Sequence, residues 1–250
     1  MSIRAGRRAR PRRSGEVAIG RYARYDAGRG HRTGVPEVVL AEGKTAAHLL
    51  GILRGLHERG HGALVSRPTD AHRRALRAAA RHGLPVRFVA GERLARLRGP
   101  ISGAPVEGTV AVMTAGTADV PIAEEAAALL EAVGVKVVRA YDVGVAGLHR
   151  LTRALGRLER RRPAVYLVFA GREGALPTVV AGLVRAPVVG VPTSVGYGRG
   201  GRGEAALSAM LQACAPIAVV NIDAGVPAAL FAVQLLARKA GSREPRGTGF

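Results

Sequence analysis

The sequence predicts an α/β protein in which a small N-terminal βαβ domain precedes a doubly wound parallel sheet, with helices on both faces in three layers. Short β-branched runs alternate with Ala- and Leu-rich stretches of helical period, which is typical of parallel βαβ units. The runs are apolar throughout, as burial of both sheet faces requires. Hydrophobic residues make up 48% of the 250 residues but aromatic residues only 4%, so small aliphatic side chains and glycine must build a closely packed core.

The first block of elements is small. Its strands are predicted near 36–41, 62–66 and 85–89, and its helices near 46–59 and 70–82. Thr45 and Thr69 directly precede the helices, where a hydroxyl oxygen can accept a hydrogen bond from a free N–H of the first turn. A Gly- and Pro-rich stretch at 99–108 is predicted to link this block to the next.

The second block is more regular, with five strands that are each followed by a helix. The strands are predicted near 109–114, 135–140, 164–169, 187–192 and 217–222. The helices are predicted at 121–133, 146–161, 174–185, 203–214 and 226–239. Five such repeats form a doubly wound sheet, and the architecture resembles that of flavodoxin.

The two ends of the chain differ from these blocks. Residues 1–15 are rich in arginine and lack apolar periodicity, which predicts a disordered basic arm. Residues 241–250 predict a flexible tail. The predicted domains are therefore a small α/β domain over 16–100 and a second domain over 108–240.

Charge and cysteine content limit the functional classes. The chain has 38 Lys and Arg against 18 Asp and Glu, a formal net charge of +20, which suggests nucleic-acid binding as one hypothesis. The arginines beyond the first 32 residues are scattered without interleaved aromatic residues, so a non-catalytic RNA-binding protein ranks third. A lone cysteine, no signal peptide and no apolar run of about 18 residues predict a cytoplasmic protein without membrane contact.

The predicted strand ends carry residues typical of a ligand site. In open parallel sheets, ligands bind beyond the carboxyl ends of the strands. In the second block each end combines glycine with a carboxylate or hydroxyl, at 114–119, 142–145, 170–174, 192–198 and 221–225. Turn geometry alone explains any single loop, but the five together favour a pocket whose backbone N–H groups approach an anionic ligand.

Two short motifs match known functional patterns but do not indicate those functions here. Residues 57–61 (HERGH) match the zinc-protease pattern, but the flanking glycines should end the helix before His61, so we assign no metal ligands. Residues 196–201 (GYGRGG) match the dinucleotide fingerprint, but they follow the fourth strand of their block and not the first. They predict a mobile loop that faces a phosphate or substrate.

Asp119 and Cys214 each allow two interpretations. Asp119 lies just before Pro121, so helix capping explains it as well as function does. Cys214 precedes the last strand, and buried cysteines are usually inert. A thiol beside the carboxyl-end loops can instead be a nucleophile, where a neighbouring cation or dipole stabilises the thiolate.

A charged cluster precedes the first helix of the first block, namely Asp26, Arg29, Arg32 and Lys44. Two arginines three residues apart and a lysine near a helix N-terminus can bind a phosphate. Arginine is abundant in this chain, so chance explains the cluster equally well.

Longer motifs point to one family. Residues 22–45 (YARYDAGRGHRTGVPEVVLAEGKT) are similar to the signature D-x-x-R-x-x-R-x-G-x-P-E-V-x-x-x-x-G-K-T, and the second block contains TAGTADVPIAEEA, DVGVAGLHRL, GALPTVVAGLV, PVVGVPTSVGYG and VNIDAG. On these motifs the chain resembles the LarB family of nickel-pincer-cofactor biosynthesis proteins, which implies a PurE-like second domain. Four positions depart from the family pattern: Arg172, Gln212, Ala213 and Ala224.

The second block also resembles, more distantly, aminoimidazole ribonucleotide carboxylases of the PurE type. Asp119 falls where those enzymes keep an aspartate, and residues 147–150 (GLHR) are similar to their Ser-Ala-His-Arg. They would carry histidine at Ala175, and they lack the first block and the cysteine. An aminoimidazole ribonucleotide carboxylase or mutase is therefore the second hypothesis.

The LarB resemblance implies a substrate and a set of site residues. The chain would carboxylate the pyridinium ring of nicotinate adenine dinucleotide and cleave its phosphoanhydride, giving pyridinium-3,5-biscarboxylic acid mononucleotide and AMP. Cys214 would be the nucleophile and Glu173 the proton acceptor, with Asp119 as a third catalytic residue. The implied substrate-binding residues are Asp26, Arg29, Arg32, Lys44, Gly116, Thr117, Asp142, His149, Thr193, Ser194 and Tyr197.

A thiol suits this chemistry. An electron-poor pyridinium cannot attack carbon dioxide, whereas thiolate addition creates an enamine that can, before a base removes the ring proton and the thiolate leaves. The resemblance further implies no organic cofactor, carbon dioxide or bicarbonate as co-substrate, and Mg²⁺ as a candidate for neutralising the pyrophosphate. It implies a homo-oligomer, with an octamer as one size, and downstream pincer-cofactor enzymes as partners.

Overall fold

The computed structural model describes residues 15–103 and 106–241, with side chains to residue 238. Apart from their inner ends, Gly15 and Gly241, the predicted basic arm and flexible tail lie outside the described residues. Within the described ranges, no helix is both long and apolar enough to cross a membrane.

The N-terminal domain is built on a four-stranded mixed sheet. A hairpin and a short helix come first: β1 (Glu16–Ile19), β2 (Ala23–Asp26) and α1 (Arg29–Thr33). The sheet and its helices follow: β3 (Val38–Leu40), α2 (Ala46–Glu58), β4 (Ala63–Ser66), α3 (Asp70–Arg81), β5 (Val86–Val89) and β6 (Leu94–Leu97). The strand order is β3-β4-β6-β5, in which β3 and β4 are parallel and the other pairs antiparallel.

The helix starts of this domain are confirmed. Thr45 is the N-cap of α2, where its hydroxyl accepts a hydrogen bond from the His48 N–H at 3.1 Å. Thr69 is the N-cap of α3, and its N–H donates to the His72 ring at 3.1 Å. Helix α2 ends at Glu58, so His61 lies outside it as predicted.

Three strands of this domain were not predicted. Strands β1 and β2 are four residues each, and each includes an exposed charged residue, Glu16 or Arg24, so their apolar signal is weak. In β6 the buried Leu94 and Leu97 are three residues apart, a spacing that also suits a helix. Strand β6 lies between β4 and β5 and runs antiparallel to both. Strands β4 and β5 are therefore parallel but not adjacent, and β4, α3 and β5 form a split βαβ unit.

The second domain confirms the predicted fold class. Its elements are β7 (Thr109–Thr114), α4 (Val120–Ala132), β8 (Lys136–Ala140), α5 (Leu148–Glu159), β9 (Val165–Ala170), α6 (Ala175–Ala181), β10 (Val188–Pro192), α7 (Glu204–Leu211), β11 (Ile217–Val219) and α8 (Gly225–Gly241). All strand pairs are parallel, in the order β11-β10-β9-β7-β8. This is the flavodoxin-like order 2-1-3-4-5.

The two domains share a hydrophobic core. One face of the five-stranded sheet packs against α4 and α8, and the fully buried Leu64 and Leu94 of the N-terminal sheet belong to the same cluster. Their strand neighbours Val65 and Ala95 belong instead to the separate core under α2 and α3. The N-terminal sheet is therefore covered on both faces. A cleft lined by residues of both domains lies beside the end of the larger sheet.

Candidate active site

The buried carboxylate of Asp119 lies at the centre of the strand-end loops. It follows β7, is 3% exposed, and accepts a hydrogen bond from the Thr193 hydroxyl at 2.6 Å on Oδ1. The N–H of Gly116 donates to Oδ2 at 2.8 Å. Two loops that are far apart in sequence thus meet at one carboxylate, as the strand-end rule predicts.

Capping of α4 does not explain Asp119, although its carboxylate caps the preceding 3-10 turn through the Gly116 N–H. The residue occupies the N-cap position of α4, but its side chain makes no capping hydrogen bond to that helix. Burial raises the pKa of the Asp119 carboxyl, and the negative charge of Asp223 adds to the rise, while the hydrogen bond from Thr193 opposes it. A carboxyl held in this way can donate or accept a proton within a ligand site.

The loop after β10 connects this carboxylate to the end of β11. Next to Thr193, the N–H of Ser194 donates to Asp223 Oδ1 at 2.8 Å. The loop after β9 packs tightly against the same segment, because a Cβ on Gly171 would lie 2.2 Å from the Val195 carbonyl oxygen. Thr193, Ser194, Gly116 and Asp119 are therefore brought together as predicted site residues.

Asp142 and His149 lie on the neighbouring loop after β8. The Asp142 N–H donates to Thr114 Oγ1 at 3.1 Å, and Arg150 donates to the Asp142 carboxylate at 2.8 Å. His149 is exposed in the first turn of α5. The loop as a whole approaches Ala115 closely, since a Cβ on Gly144 would lie 2.8 Å from the Ala115 carbonyl oxygen.

The remaining strand-end residues are exposed to solvent. Glu173 follows β9, and Thr117 lies in the 3-10 turn before α4. Tyr197 is 80% exposed, with the guanidinium carbon of Arg172 4.4 Å from its ring centroid. The glycine-rich residues Gly198–Gly203 form an irregular 3-10 segment before α7. Among the described residues, the hydrogen-bond partners of the Asp119 carboxylate are Gly116 and Thr193, and none of these exposed side chains is one of them.

Cys214 lies at the amino ends of the strands, which is the end of the sheet opposite to Asp119. Within one chain, the expectation that Cys214 lies beside the carboxyl-end loops is therefore wrong. Helix α7 ends at Leu211, and Cys214 precedes Ile217, which pairs with Val188 at the start of β10. The five residues of β10 separate the amino ends of the strands from their carboxyl ends, a distance of roughly 15 Å. The thiol is exposed, so the alternative expectation that Cys214 is buried is wrong as well.

The predicted phosphate-binding cluster is only partly available. Arg32 donates two hydrogen bonds to the Asp26 carboxylate, at 2.9 and 2.5 Å, which lowers the pKa of Asp26. Lys44 Nζ donates to the Leu40 carbonyl at 2.7 Å. Arg29 lines the cleft between the domains. Of the cluster, Arg29 is therefore the residue that faces a cavity.

Sequence reasoning missed the charged residues inside the cleft. Arg67 follows β4 and donates to the Asp223 carbonyl at 2.9 Å. Glu125 of α4 is buried, and Arg93 Nε lies 3.4 Å from its Oε2. Burial raises the pKa of Glu125, and the positive charges of Arg93 and Arg67 oppose the rise. The strand-end rule applied to the first block would have found Arg67, and an acid within the apolar stripe of α4 would have marked Glu125.

In the described part of the chain there is no three-ligand protein site for the candidate Mg²⁺, an ion that commonly binds one or two carboxylates together with substrate phosphates. Among those residues, no three His, Cys, Asp or Glu side chains are grouped so that they could hold a metal ion. The donor set of the site is instead one buried carboxylate with hydroxyl and backbone N–H groups.

Sequence comparisons match both domains. Residues 17–90 match the family model of the LarB/PurE-like N-terminal domain, and residues 109–245 match that of AIR carboxylase. An uncharacterized protein of Methanocaldococcus jannaschii is 39% identical over 212 residues, which cover 84% of this chain and 82% of that protein.

Enzymes of known name match the second domain. The N5-carboxyaminoimidazole ribonucleotide mutase of Methanocaldococcus jannaschii is 31% identical over 131 residues, covering 52% of this chain and 80% of the mutase. That of Pyrococcus horikoshii is 30% identical over 136 residues, covering 52% and 73%. The strand-end carboxylate on this fold and these matches define a carboxylase-type enzyme.

The arrangement of the two matched models along one chain narrows this class. The chain belongs to the LarB family, in which a LarB-type N-terminal domain is joined to a PurE-like AIR carboxylase domain.

Proposed function

We propose that this protein carboxylates the pyridinium ring of nicotinate adenine dinucleotide and hydrolyses its phosphoanhydride, giving pyridinium-3,5-biscarboxylic acid mononucleotide and AMP. The observation that carries the proposal is the joining of a LarB-type N-terminal domain to an AIR carboxylase domain in one chain. The mutase relatives, whose names specify a single ribonucleotide, align with little more than the second domain. The first domain supplies additional walls beside the same strand ends, which suits a substrate with two nucleotide halves.

Carboxylation needs a nucleophile and a base. A thiolate adds to the ring and forms a C–S bond; the resulting enamine carbon attacks carbon dioxide, and loss of its proton with departure of the thiolate restores the aromatic ring. We assign Cys214 as the nucleophile and Glu173 as the proton acceptor. Asp119, Asp142 and His149 contact the ring and ribose in this assignment. Thr193, Ser194 and Tyr197 line the loop over them.

The position of Cys214 requires a second copy of the chain. The thiol and Asp119 lie at opposite ends of the strands of one sheet. In this assignment, the Cys214 that serves a site therefore comes from a neighbouring protomer. Two leucines near the amino ends of the strands, Leu183 and Leu211, are 57% and 66% exposed. Exposed apolar side chains beside the thiol suit a contact between protomers.

Hydrolysis of the phosphoanhydride is the second half of the proposal. Water adds to a phosphorus atom, the bridging P–O bond breaks, and AMP leaves. Arg29 lines the cleft, where positive charge stabilises the charge on the phosphates, and Lys44 would join it only by releasing the Leu40 carbonyl.

The second candidate is an aminoimidazole ribonucleotide carboxylase or mutase, which is favoured by the 30–31% identity to the named mutases. Parallel incubations with N5-carboxyaminoimidazole ribonucleotide, and with nicotinate adenine dinucleotide plus bicarbonate, distinguish the two by mass spectrometry of the products. We expect turnover of the dinucleotide. Turnover of the aminoimidazole alone would reverse the ranking.

A further inference from the structure

Asp223, in the loop after β11, makes two hydrogen bonds with the loop after β10. Its N–H donates to the Pro192 carbonyl at 2.9 Å, and its Oδ1 accepts from the Ser194 N–H at 2.8 Å. Thr193 lies between these two contacts, and its hydroxyl donates to Asp119 at 2.6 Å. Asp223 therefore holds the loop on both sides of the residue that contacts the buried carboxylate.

The backbone around these contacts is tightly packed. A Cβ on Gly203, before α7, would lie 2.7 Å from the Thr193 carbonyl oxygen and 2.9 Å from Ile222 Cγ2. Asp223 itself has a φ of 55°, in the left-handed region that aspartate adopts more readily than most other non-glycine residues. The position of the loop after β10 is therefore tied to the conformation of Asp223.

A residue of the N-terminal domain holds Asp223 in turn. Arg67 follows β4, and its Nη2 donates to the Asp223 carbonyl at 2.9 Å. Its Nη1 lies 3.3 Å from Glu42 Oε2, so the guanidinium is held between the two domains. Arg67 also has a positive φ, of 51°, a strained conformation that persists only where the surrounding contacts impose it.

We propose that Asp223 is a positioning residue for the strand-end site: it holds the loop after β10 so that Thr193 reaches Asp119, and Arg67 of the N-terminal domain fixes Asp223. This inference rests on the proposed function only in taking Asp119 as a catalytic residue, so it applies to both candidate substrates.

Asp223 also brings a negative charge close to Asp119, because neighbouring residues of one loop bind the two carboxylates. This charge raises the pKa of Asp119. The other charged side chains around Asp119 are paired or exposed. Glu124 and Glu125 of α4 pair with Arg139 and Arg93, Asp142 after β8 pairs with Arg150, and the loops after β9 and β10 carry the exposed Arg172, Glu173, Arg199 and Arg202.

Steady-state kinetics of two Asp223 variants separate the hydrogen bond from the charge. We expect Asp223→Ala to lower kcat at least about tenfold, because the Ser194 N–H loses a charged acceptor and Thr193 moves from Asp119. Asp223→Asn keeps an oxygen that can accept from Ser194 and should retain at least about a third of the wild-type kcat. Asp70→Asn, an exposed carboxylate of α3, is the matched control and should retain the wild-type kcat. Wild-type kcat in Asp223→Ala, or equal losses in both Asp223 variants, would overturn the proposal.

The pH profile gives a readout that a purely structural role would not change. Asp223→Asn removes the negative charge that raises the pKa of Asp119. The limb of the kcat/KM profile that Asp119 controls should therefore move to lower pH, and it should stay in place in Asp70→Asn. An unmoved limb in Asp223→Asn would contradict the placement of Asp223 beside Asp119.

A double variant tests the link to the N-terminal domain. Because Arg67 acts through Asp223 in this proposal, Arg67→Ala combined with Asp223→Ala should lose no more kcat than Asp223→Ala alone. Losses that multiply would show that Arg67 acts on the site by another route, and would overturn its part in the proposal.

Hydrogen exchange of the full-length protein tests the loop without any substrate. In Asp223→Ala, the amides of residues 194–197 should exchange at least about tenfold faster than in the wild type, because the Ser194 N–H loses its acceptor. Asp70→Asn should match the wild type. Faster exchange without turnover of either candidate substrate would support the positioning role and contradict the proposed function. Turnover with unchanged exchange would leave the proposed function standing and overturn the positioning role.

Discussion

At the residue scale, Asp119 is the group on which the strand-end site depends. Its two oxygens are engaged by Thr193 and Gly116, and its negative charge is buried where a cationic ring would bind in the proposed reaction. We expect Asp119→Asn to lower kcat/KM by about 10²–10³, which corresponds to roughly 3–4 kcal/mol of transition-state stabilisation. The amide can still accept from Thr193, so the fold should persist.

The matched control for this variant is Asp70→Asn, an exposed carboxylate at the start of α3. Thermal unfolding and steady-state turnover of both variants test the expectation. A retained rate in a folded Asp119→Asn protein would remove Asp119 from the catalytic group.

Two adjacent acids of α4 should affect stability with opposite signs. Burial raises the pKa of Glu125 in the folded state. Burial alone would do the same for Glu124, but hydrogen bonds from Tyr141 and Arg139 outweigh it and lower the pKa. Protonated Glu125 contributes fully to the free energy of unfolding below its unfolded-state pKa of about 4.3. This contribution is lost as the pH rises through the raised folded-state pKa. The contribution of ionised Glu124 to the free energy of unfolding is present above a pH of about 4.3, its unfolded-state pKa. It is lost as the pH falls through the lowered folded-state pKa.

Urea unfolding at pH 4 and at pH 8 measures this difference. At pH 8, Glu125→Gln should have a higher free energy of unfolding than the wild type, and Glu124→Gln a lower one. Both differences should shrink towards pH 4. The same sign for both variants at pH 8 would contradict the assigned environments.

At the element scale, the loops after β9 and β10 form the wall of the site through close backbone contact. A Cβ on Gly171 would overlap the Val195 carbonyl, so Gly171→Ala must push the loops apart. We expect a loss of about 1–3 kcal/mol in stability, as overpacking typically causes, together with a loss of turnover because Thr193 moves from Asp119.

Gly156→Ala is the control for this substitution. Gly156 lies within α5, and a Cβ there would meet no atom within 4 Å. Alanine should therefore stabilise the protein by about 0.5–1 kcal/mol through its higher helix propensity. Denaturant unfolding of both variants is the measurement, and destabilisation by Gly156→Ala alone would contradict the packing described.

The elements that sequence patterns predicted are those with an unbroken signal. All five strands of the second domain were predictable. The three central strands β7, β9 and β10 are buried along almost their whole length because helices cover both sheet faces, and the edge strand β8 keeps an apolar pair between its exposed Lys136 and Arg139. The β1–β2 hairpin and β6 were missed because charged residues interrupt their short apolar patterns. Asp119 was predictable from its place after a strand. The meeting of Arg67 with Glu125 was not, since it arises from packing between two domains.

At the scale of the whole molecule, the separation of Cys214 from Asp119 makes the assembly part of the proposed mechanism. If each site combines Asp119 of one protomer with Cys214 of another, neither Cys214→Ser nor Asp119→Asn alone should be active. Mixed oligomers formed on co-expression should regain about a quarter of the wild-type sites by random assortment. Turnover of the purified mixture measures this, and a mixture as inactive as its parents would contradict a shared site.

In the proposed reaction, this chain couples pyridinium carboxylation to phosphoanhydride cleavage. The most direct measurement is incubation of the full-length protein with nicotinate adenine dinucleotide and ¹³C-bicarbonate, followed by mass spectrometry and quantification of AMP. We expect a mononucleotide that carries one labelled carboxyl group for each AMP released. Release of AMP without label in the mononucleotide, or no reaction of the dinucleotide at all, would contradict it.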